Sequence, residues 1–246
     1  MRKTLFYLYQ LYLWLVLVPL VLLLTFLSGL ATALSATWVN PRFANRHFAR
    51  NWARLLAWLT PMRVSVHGAE HAQTDRSYVV VCNHQSQYDI LLVYGFLDLD
   101  FKWVIKQELR KIPGLGIGCE KAGHIFIDRS NPRSARAAVA AALQRLGDGV
   151  GILFFPEGTR SLDGRLLPFK RGAFRLAIEQ QLPVLPVTLV GTRDIMPAKT
   201  LRVFPGRARL IIHPAIETRG MVSGQVDELL NRAQKTIASA LPPSLR

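Results

Sequence analysis

The chain has 246 residues, half of them hydrophobic, and its 31 basic and 16 acidic residues leave a formal net charge of +15. This length holds one sizeable α/β domain and a short additional segment. The combination of basic and apolar residues favours an anionic membrane surface and argues against nucleic acid as a partner, since no nucleic-acid-binding module can be read. The two cysteines, Cys82 and Cys119, have neither metal-site spacing nor a disulfide framework.

The N-terminal segment is apolar and uncharged from Thr4 to Pro41. As one continuous helix it would be about 57 Å long at ~1.5 Å per residue. The hydrocarbon core of a bilayer is only about 30 Å thick. We therefore expect the helix to break at Pro19, at Ser28-Gly29 or at Pro41, because proline and glycine interrupt helices.

The next segment combines arginine with large apolar residues at helical spacing. One face carries arginine at every fourth position and the opposite face is aromatic and aliphatic: Arg42, Arg46, Arg50 and Arg54 against Phe48, Trp52, Leu55, Leu56 and Leu59. Such a helix lies naturally in a membrane interface, with its guanidinium groups at headgroup level. The alternative is a surface helix that packs on its own domain.

Basic residues on both flanks of the apolar segment bear on its topology. Lys and Arg prefer the cytoplasmic side, so a hydrophobic hairpin or re-entrant segment is favoured over a single span. A cleaved signal peptide competes, because Arg2-Lys3 and Ala31-Thr32-Ala33 have a suitable composition. The apolar run Leu5–Leu27 is, however, longer than the usual ~7–15 residues.

We therefore predict two parts. Residues 1–60 would anchor the chain to the inner (cytoplasmic) membrane, with an apolar stretch at 4–39 and a basic amphipathic helix at 41–60. Residues 61–246 would form a single domain on the cytoplasmic side.

After Pro61, short β-branched runs alternate with helical patterns. Predicted strands are Arg63–His67, Tyr78–Asn83, Phe101–Ile105, His124–Asp128, Gly151–Phe155, Val184–Val190 and Ala208–His213. Predicted helices are Asp89–Phe96, Pro132–Leu146, Arg171–Gln181 and Ser223–Leu241. This alternation predicts an α/β fold with a mixed, largely parallel sheet covered by helices.

His84 and Asp89 follow an apolar predicted strand, at the sheet edge where α/β proteins place their sites. A carboxylate that accepts a hydrogen bond from one imidazole nitrogen leaves the other nitrogen as a general base. The pattern alone is weak, because a structural histidine and an N-cap aspartate have the same spacing.

A second polar segment, Phe154–Ser161, also ends an apolar strand. Gly158 permits a tight turn whose N–H groups face an anion, and Arg160 has the planar geometry that binds phosphate with two hydrogen bonds. An ordinary turn with a solvated arginine is the competing interpretation.

Lys106 and Arg129 each follow a further predicted strand. Two cations at the same sheet edge would converge on one phosphate. The alternative is a pair of unrelated surface charges.

Together, these segments resemble the four ordered sequence blocks of the glycerophospholipid acyltransferase family. The blocks are Asn-His-x-Ser-x-x-Asp at 83–89, Gly-x-x-Phe-Ile-Asp-Arg at 123–129, Phe-Pro-Glu-Gly-Thr-Arg-Ser at 155–161, and Leu-Pro-Val at 185–187. Within the family, the chain is most similar to bacterial 1-acyl-sn-glycerol-3-phosphate (lysophosphatidic acid) acyltransferases. The resemblance covers about Tyr78 to Val190.

The resemblance implies a role for each block. His84 would take the proton from a lipid hydroxyl that attacks an acyl thioester, and Asp89 would orient His84. The acceptor phosphate would be bound by Glu157, Gly158, Thr159 and Arg160 together with Lys106 and Arg129. Leu185, Pro186 and Val187 would line the acyl side. No side chain becomes acylated in this scheme, and the sequence has no Gly-x-Ser-x-Gly elbow.

The implied enzyme is therefore a 1-acylglycerol-3-phosphate O-acyltransferase of the bilayer that converts lysophosphatidic acid to phosphatidic acid. Its donor would be acyl-CoA or acyl carrier protein, with no metal and no cofactor. The nearest alternative is a member of the same family that acylates another lyso-lipid, such as a lyso-ornithine lipid or lysophosphatidylglycerol. A remote alternative is a membrane-tethered basic binding protein, for which His84 would be dispensable and the arginines essential.

Overall fold

The computed structural model describes residues 3–128, 130–144 and 147–246. In these ranges seven strands form one sheet: β1 (Met62–His67), β2 (Val79–Cys82), β3 (Asp100–Lys106), β4 (Ile125–Ile127), β5 (Val150–Phe154), β6 (Val184–Val190) and β7 (Gly206–Ile212). The spatial order is β1-β7-β6-β2-β5-β3-β4.

Five neighbouring strands, from β6 to β4, run parallel, and β7 turns back antiparallel to β6 with β1 parallel beside it. The carboxyl ends of β2, β5, β3 and β4 therefore lie at one edge of the sheet. The predicted mixed, largely parallel α/β sheet is confirmed.

Helices lie before the sheet and on both of its faces. They are α1 (Lys3–Tyr12), α2 (Val18–Trp38), α3 (Pro41–Ala44), α4 (Arg50–Leu59), α5 (Tyr88–Phe96), α6 (Leu115–Lys121), α7 (Pro132–Leu143), α8 (Gly172–Glu179), α9 (Thr192–Ile195) and α10 (Val226–Ala240). One core packs α4 and α5 on the sheet, around Leu56 and Leu92. The other packs α7, α8 and α10, around Phe174 and Leu229.

The predicted strands differ from the observed ones by at most two residues at either end. The helix predicted over Pro132–Leu146 ends at Leu143, and residues 145 and 146 lie outside the described ranges. Helix α6 was not predicted, because Gly116 and Gly118 lower its intrinsic helix propensity. Its formation depends on packing against α2.

The helix was expected to break at Pro19, at Ser28-Gly29 or at Pro41. It stays continuous at Pro19 and at Ser28-Gly29. Helix α1 continues through a π-helical turn, Leu13–Leu17, into α2. This turn lies just before Pro19. Proline has no backbone N–H and its ring crowds the preceding turn, and the changed hydrogen-bond pattern of the π-helical turn accommodates both effects. We call the whole Lys3–Trp38 element the apolar helix. The chain reverses at Val39-Asn40, before Pro41, and Asn40 Oδ1 caps the next helix at Phe43 N, 2.7 Å away.

The returning arm, Pro41–Leu59, is called the arginine helix and runs back along the apolar helix. Trp52 Nε1 donates to Thr25 Oγ1 at 3.1 Å, and Tyr12 donates to Leu59 O at 3.2 Å. The hairpin therefore has one apolar arm and one amphipathic arm.

Most of the arginine row binds the protein itself. Three arginines contact the segment at the end of α5 and the start of β3: Arg42 with Asp100 at 3.0 Å, Arg50 with Asp98 at 2.6 Å, and Arg54 with Gly95 O at 2.7 Å. The expectation that these guanidinium groups lie at lipid headgroup level stays a prediction. Their contacts also fit the alternative, a helix that packs on its own domain.

The apolar helix presents many of its leucines to solvent, although Leu13 and Leu17 are buried. Tyr7–Trp38 has the length and apolar composition of a membrane span, and little of it is buried. Leu8, Leu15 and Leu22 are 58%, 72% and 67% exposed. Their surface matches a bilayer better than water.

Candidate active site

The loop that carries His84 is fixed to the end of the central strand β2. The β2–β6 ladder ends at Cys82, and the Asn83 side chain continues it. Asn83 Nδ2 donates to Leu189 O at 2.9 Å, and Leu189 N donates to Asn83 Oδ1 at 2.8 Å. These two bonds imitate a backbone rung and hold His84 at the carboxyl edge of the sheet.

His84 and Asp89 form a hydrogen-bonded pair, with Nδ1 and Oδ2 2.8 Å apart. The Asp89 carboxylate is fully buried, and the same oxygen accepts from the backbone N–H groups of Gln85 and Ser86 at 2.7 and 2.8 Å. Because this oxygen acts as an acceptor, Nδ1 of His84 carries the proton and Nε2 presents a lone pair. No hydrogen bond to Nε2 occurs within the described part of the chain, so this nitrogen is available to a substrate.

Two side chains that sequence reasoning missed complete this pair. Thr192, on α9, donates its hydroxyl to Asp89 Oδ1. The Phe155 ring stacks on the His84 imidazole with centroids 3.9 Å apart and an interplanar angle of 12°. Phe155 belongs to a block that the sequence singled out, whereas Thr192 lies 103 residues from Asp89, and no local pattern identifies it.

Glu157 lies inside the protein, where its carboxylate contacts backbone N–H groups. Its side chain is 3% exposed. One carboxylate oxygen accepts from His84 N at 2.6 Å and the other from Leu167 N at 3.0 Å. Burial raises the pKa of Glu157 to about 7, against the opposing effect of these two hydrogen bonds. Both carboxylate oxygens are thus occupied by backbone donors, and the sequence-based assignment of Glu157 to a phosphate site stays a prediction.

The rest of the Glu-Gly-Thr-Arg turn fits an anion site. Gly158 has φ +73°, a left-handed conformation, and a Cβ there would lie 2.5 Å from Nζ of Lys170. Thr159 is exposed and Arg160 half-buried, and no ion pair engages the Arg160 guanidinium among residues that the structure describes. Lys170, which sequence reasoning also missed, thus adds a second cation beside this turn.

Lys106 lies at the carboxyl end of β3, on the same sheet edge as His84, but it is exposed and forms an ion pair with Glu108 at 2.7 Å. Arg129 lies outside the described residues. The predicted convergence of these two cations on one phosphate remains a prediction.

Leu185, Pro186 and Val187 lie in the centre of β6 and are buried, opposite Val80, Val81 and Cys82 of β2. Leu185 and Val187 belong to the core that packs α4 and α5 on the sheet. They pack within the sheet, and the acyl-lining role expected from the sequence stays a prediction.

The site offers no prepared nucleophile among the side chains near His84. Burial raises the pKa of the Cys82 thiol well above its usual range, so the thiol stays protonated. Ser86 donates its hydroxyl to Met196 O at 2.7 Å, and no hydrogen bond joins it to His84 Nε2 among the described residues. Within the described ranges, no group of three or more His, Cys, Asp or Glu side chains could hold a metal ion.

The arrangement therefore provides a general base with a fixed tautomer, beside a turn that carries an unpaired guanidinium. A base of this kind activates a hydroxyl that is brought to Nε2, and the cations bind an anionic part of the same molecule.

The chain is similar to known acyltransferases in sequence and in structure. Residues 63–190 match the model of the acyltransferase family. A 1-acyl-sn-glycerol-3-phosphate acyltransferase of Chlamydomonas reinhardtii is 36% identical over 204 residues, which cover 81% of this chain and 59% of the relative. The human 1-acyl-sn-glycerol-3-phosphate acyltransferase alpha is 35% identical over 183 residues, which cover 74% of this chain and 65% of the relative. The chain thus spans about three fifths of the length of these relatives.

A solved structure matches almost the whole chain. The 1-acyl-sn-glycerophosphate (LPA) acyltransferase PlsC of Thermotoga maritima is 29% identical, with a TM-score of 0.76 over 97% of this chain and 98% of that one. The family match spans the sheet edge with His84, Asp89 and Arg160, and the structural match includes the N-terminal helices. This chain belongs to the acyltransferase family.

Proposed function

We propose that this protein transfers a fatty acyl group from an acyl thioester to the free sn-2 hydroxyl of lysophosphatidic acid, giving phosphatidic acid and a free thiol. The observation that carries the proposal is the His84–Asp89 pair, whose open Nε2 lies at the same sheet edge as the unpaired Arg160. The names of the relatives and of the structural neighbour support the choice of acceptor.

In the proposed reaction, His84 Nε2 takes the proton of the lipid hydroxyl as that oxygen attacks the thioester carbonyl. The C–S bond then breaks, and the departing thiolate takes the proton back from the imidazolium. Asp89 holds the imidazole in the correct tautomer and stabilises its charged form. No residue is acylated and no cofactor is consumed.

Arg160 and Lys170 bind the acceptor phosphate in this proposal, with Gly158 and Thr159 shaping the turn and Lys106 and Arg129 adding charge. The guanidinium of Arg160 forms two parallel hydrogen bonds to phosphate oxygens, which an ammonium group does not reproduce. The donor is acyl-CoA or acyl carrier protein, both anionic and suited to a chain with a net charge of +15.

We also propose that residues 1–60 attach the protein to the inner membrane, with residues 61–246 as the catalytic domain on the cytoplasmic side. The exposed leucines of the apolar helix support this location. Acceptor and product are both lipids, so a site held at the bilayer surface reaches the headgroup without extracting the acyl chain.

The proposal is tested by assaying the purified protein in detergent against lysophosphatidic acid, lysophosphatidylglycerol and a lyso-ornithine lipid, each with both thioester donors. We expect phosphatidic acid to form at the highest kcat/KM. A preference for another lyso-lipid would change the acceptor but keep the chemistry. Failure to acylate any of them would refute the proposed activity.

A further inference from the structure

Both backbone polar groups of His84 are held by one neighbouring turn, residues 157–161. His84 N donates to Glu157 Oε1 at 2.6 Å, and His84 O accepts from Ser161 N at 2.9 Å. The catalytic pair is thus fixed through its main chain as well as through the bond between Nδ1 and Asp89.

The sheet itself does not provide these contacts. The paired residues of β2 and β5 end at Val81 and Phe154, three residues before His84. Beyond that point the Glu157 carboxylate supplies the acceptor that a strand carbonyl would otherwise offer. Its second oxygen binds Leu167 N, so one buried side chain joins three separate chain segments.

The chemistry of this position favours a carboxyl group. Two N–H donors approach the two oxygens, and a carboxylate is the side chain that presents two acceptors without a competing donor. A buried carboxyl group without a cationic partner is costly. Among the described residues no ion pair engages Glu157. Its two hydrogen bonds to backbone N–H groups must therefore offset the cost of burying it.

We propose that Glu157 is a positioning residue that fixes the backbone of His84, and so the place of Nε2, and is not part of the acceptor site. The inference rests on the proposed acyl transfer. It predicts that changes at Glu157 act on turnover, since displacing a catalytic group by about 1 Å costs on the order of 10²-fold in rate.

The test compares Glu157→Gln and Glu157→Asp with Arg160→Gln. The glutamine variant has nearly the same shape but turns an NH₂ group toward one backbone N–H, and the aspartate variant keeps the charge but is one methylene shorter. For Glu157→Gln we expect kcat to fall roughly 10- to 100-fold with KM for the lyso-lipid within about twofold. For Arg160→Gln we expect the opposite pattern, a raised KM. The aspartate variant should be intermediate in kcat.

Two further measurements distinguish an unfolded variant, a wrong positioning role and a wrong proposed function. The thermal midpoint identifies loss of folding, and if the glutamine variant does not fold, the kcat and KM of the aspartate variant decide. Hydrogen exchange in a peptide spanning 83–89 should accelerate in Glu157→Gln, and this readout needs no substrate. Unchanged exchange, or a raised KM at normal kcat, would overturn the inference. Inactive wild-type protein with accelerated exchange in the variant would refute the proposed function and leave the positioning role standing.

Discussion

Asp89 is the most constrained side chain of the candidate site. Its buried carboxylate accepts hydrogen bonds from the His84 ring, from two backbone N–H groups and from the Thr192 hydroxyl. The orientation of Asp89 is therefore fixed before a substrate arrives. The hydrogen bond from Nδ1 to Asp89 fixes the His84 ring in turn.

Replacing the base should abolish most turnover. His84→Ala is expected to lower kcat by ~10²–10⁴-fold, the usual contribution of general acid–base catalysis. Asp89→Asn should also be severe, because an amide can stabilise the wrong tautomer. His67→Ala, an exposed histidine on β1, is the matched control. Near-normal turnover of His84→Ala would exclude the proposed mechanism.

Thr192 offers a finer test of the same pair. Thr192→Val keeps the shape but leaves Asp89 Oδ1 without its hydroxyl donor, which costs roughly 1–3 kcal/mol in a buried site. We expect kcat to fall about tenfold and the unfolding free energy to decrease. Thr192→Ser retains the hydroxyl and should stay close to wild type in steady-state kinetics. Equal activity of Val and Ser variants would contradict this role.

At the scale of elements, the apolar helix and α6 meet backbone to backbone. A Cβ on Gly118 would lie 2.7 Å from Gly29 O, and one on Gly29 would lie 2.3 Å from Gly114 O. These glycines allow the two helices to approach closely. The packing against α6 stabilises the apolar helix at Gly29, so the helix does not break there.

Gly118→Ala should therefore separate these helices. Overpacking of this kind typically costs about 1–3 kcal/mol, and we expect a lower unfolding free energy in detergent. Gly224→Ala, where a Cβ would meet nothing within 4 Å, serves as the control and should be neutral. Equal stability of both variants would show that the helix contact is not tight.

A buried hydrogen-bond chain ties the arginine helix to β3. Trp103 N donates to His124 Nδ1 at 3.3 Å, so Nε2–H of His124 donates to Tyr94 Oη at 2.8 Å, and Tyr94 donates to Asn45 Oδ1 at 2.8 Å. This direction requires a neutral imidazole. Burial, with a smaller contribution from the nearby Lys102 cation, lowers the pKa of His124 to about 3.

The chain predicts a loss of stability in acid. Below about pH 6.5 the imidazole of His124 is protonated in the unfolded state but stays neutral in the folded state. The free energy of unfolding is therefore highest above about pH 6.5 and falls as the pH decreases toward 3. Between pH 7.5 and 5.0 the loss is about 2 kcal/mol. Denaturant unfolding at both values should show a smaller difference for His124→Asn, whereas His67→Asn should keep it. An identical pH dependence in His124→Asn would rule out this origin.

For the whole molecule, we expect the exposed leucines of the apolar helix to provide membrane attachment, because three of the four arginines are engaged by the protein. We expect the combined substitution of Leu8, Leu15 and Leu22 by Glu to prevent co-sedimentation with liposomes. Wild-type protein should stay bound at high salt, since apolar burial is not screened. Leu201→Glu/Val222→Glu, at 66% and 63% exposed positions outside this helix, should still sediment. Release of wild-type protein by salt would point to the charges as the anchor.

The sequence by itself determined the α/β class, the strands, the apolar helix and the pairing of His84 with Asp89. These features follow from local periodicity and from residues five apart in one loop. The tertiary structure decided what depends on distant contacts: the buried position of Glu157, the hydrogen bond from Thr192 to Asp89, and the contacts of three arginines with the domain. It also decided that Pro19 and Gly29 leave the apolar helix continuous. A charge or a glycine has several possible partners along a sequence, and only packing selects among them.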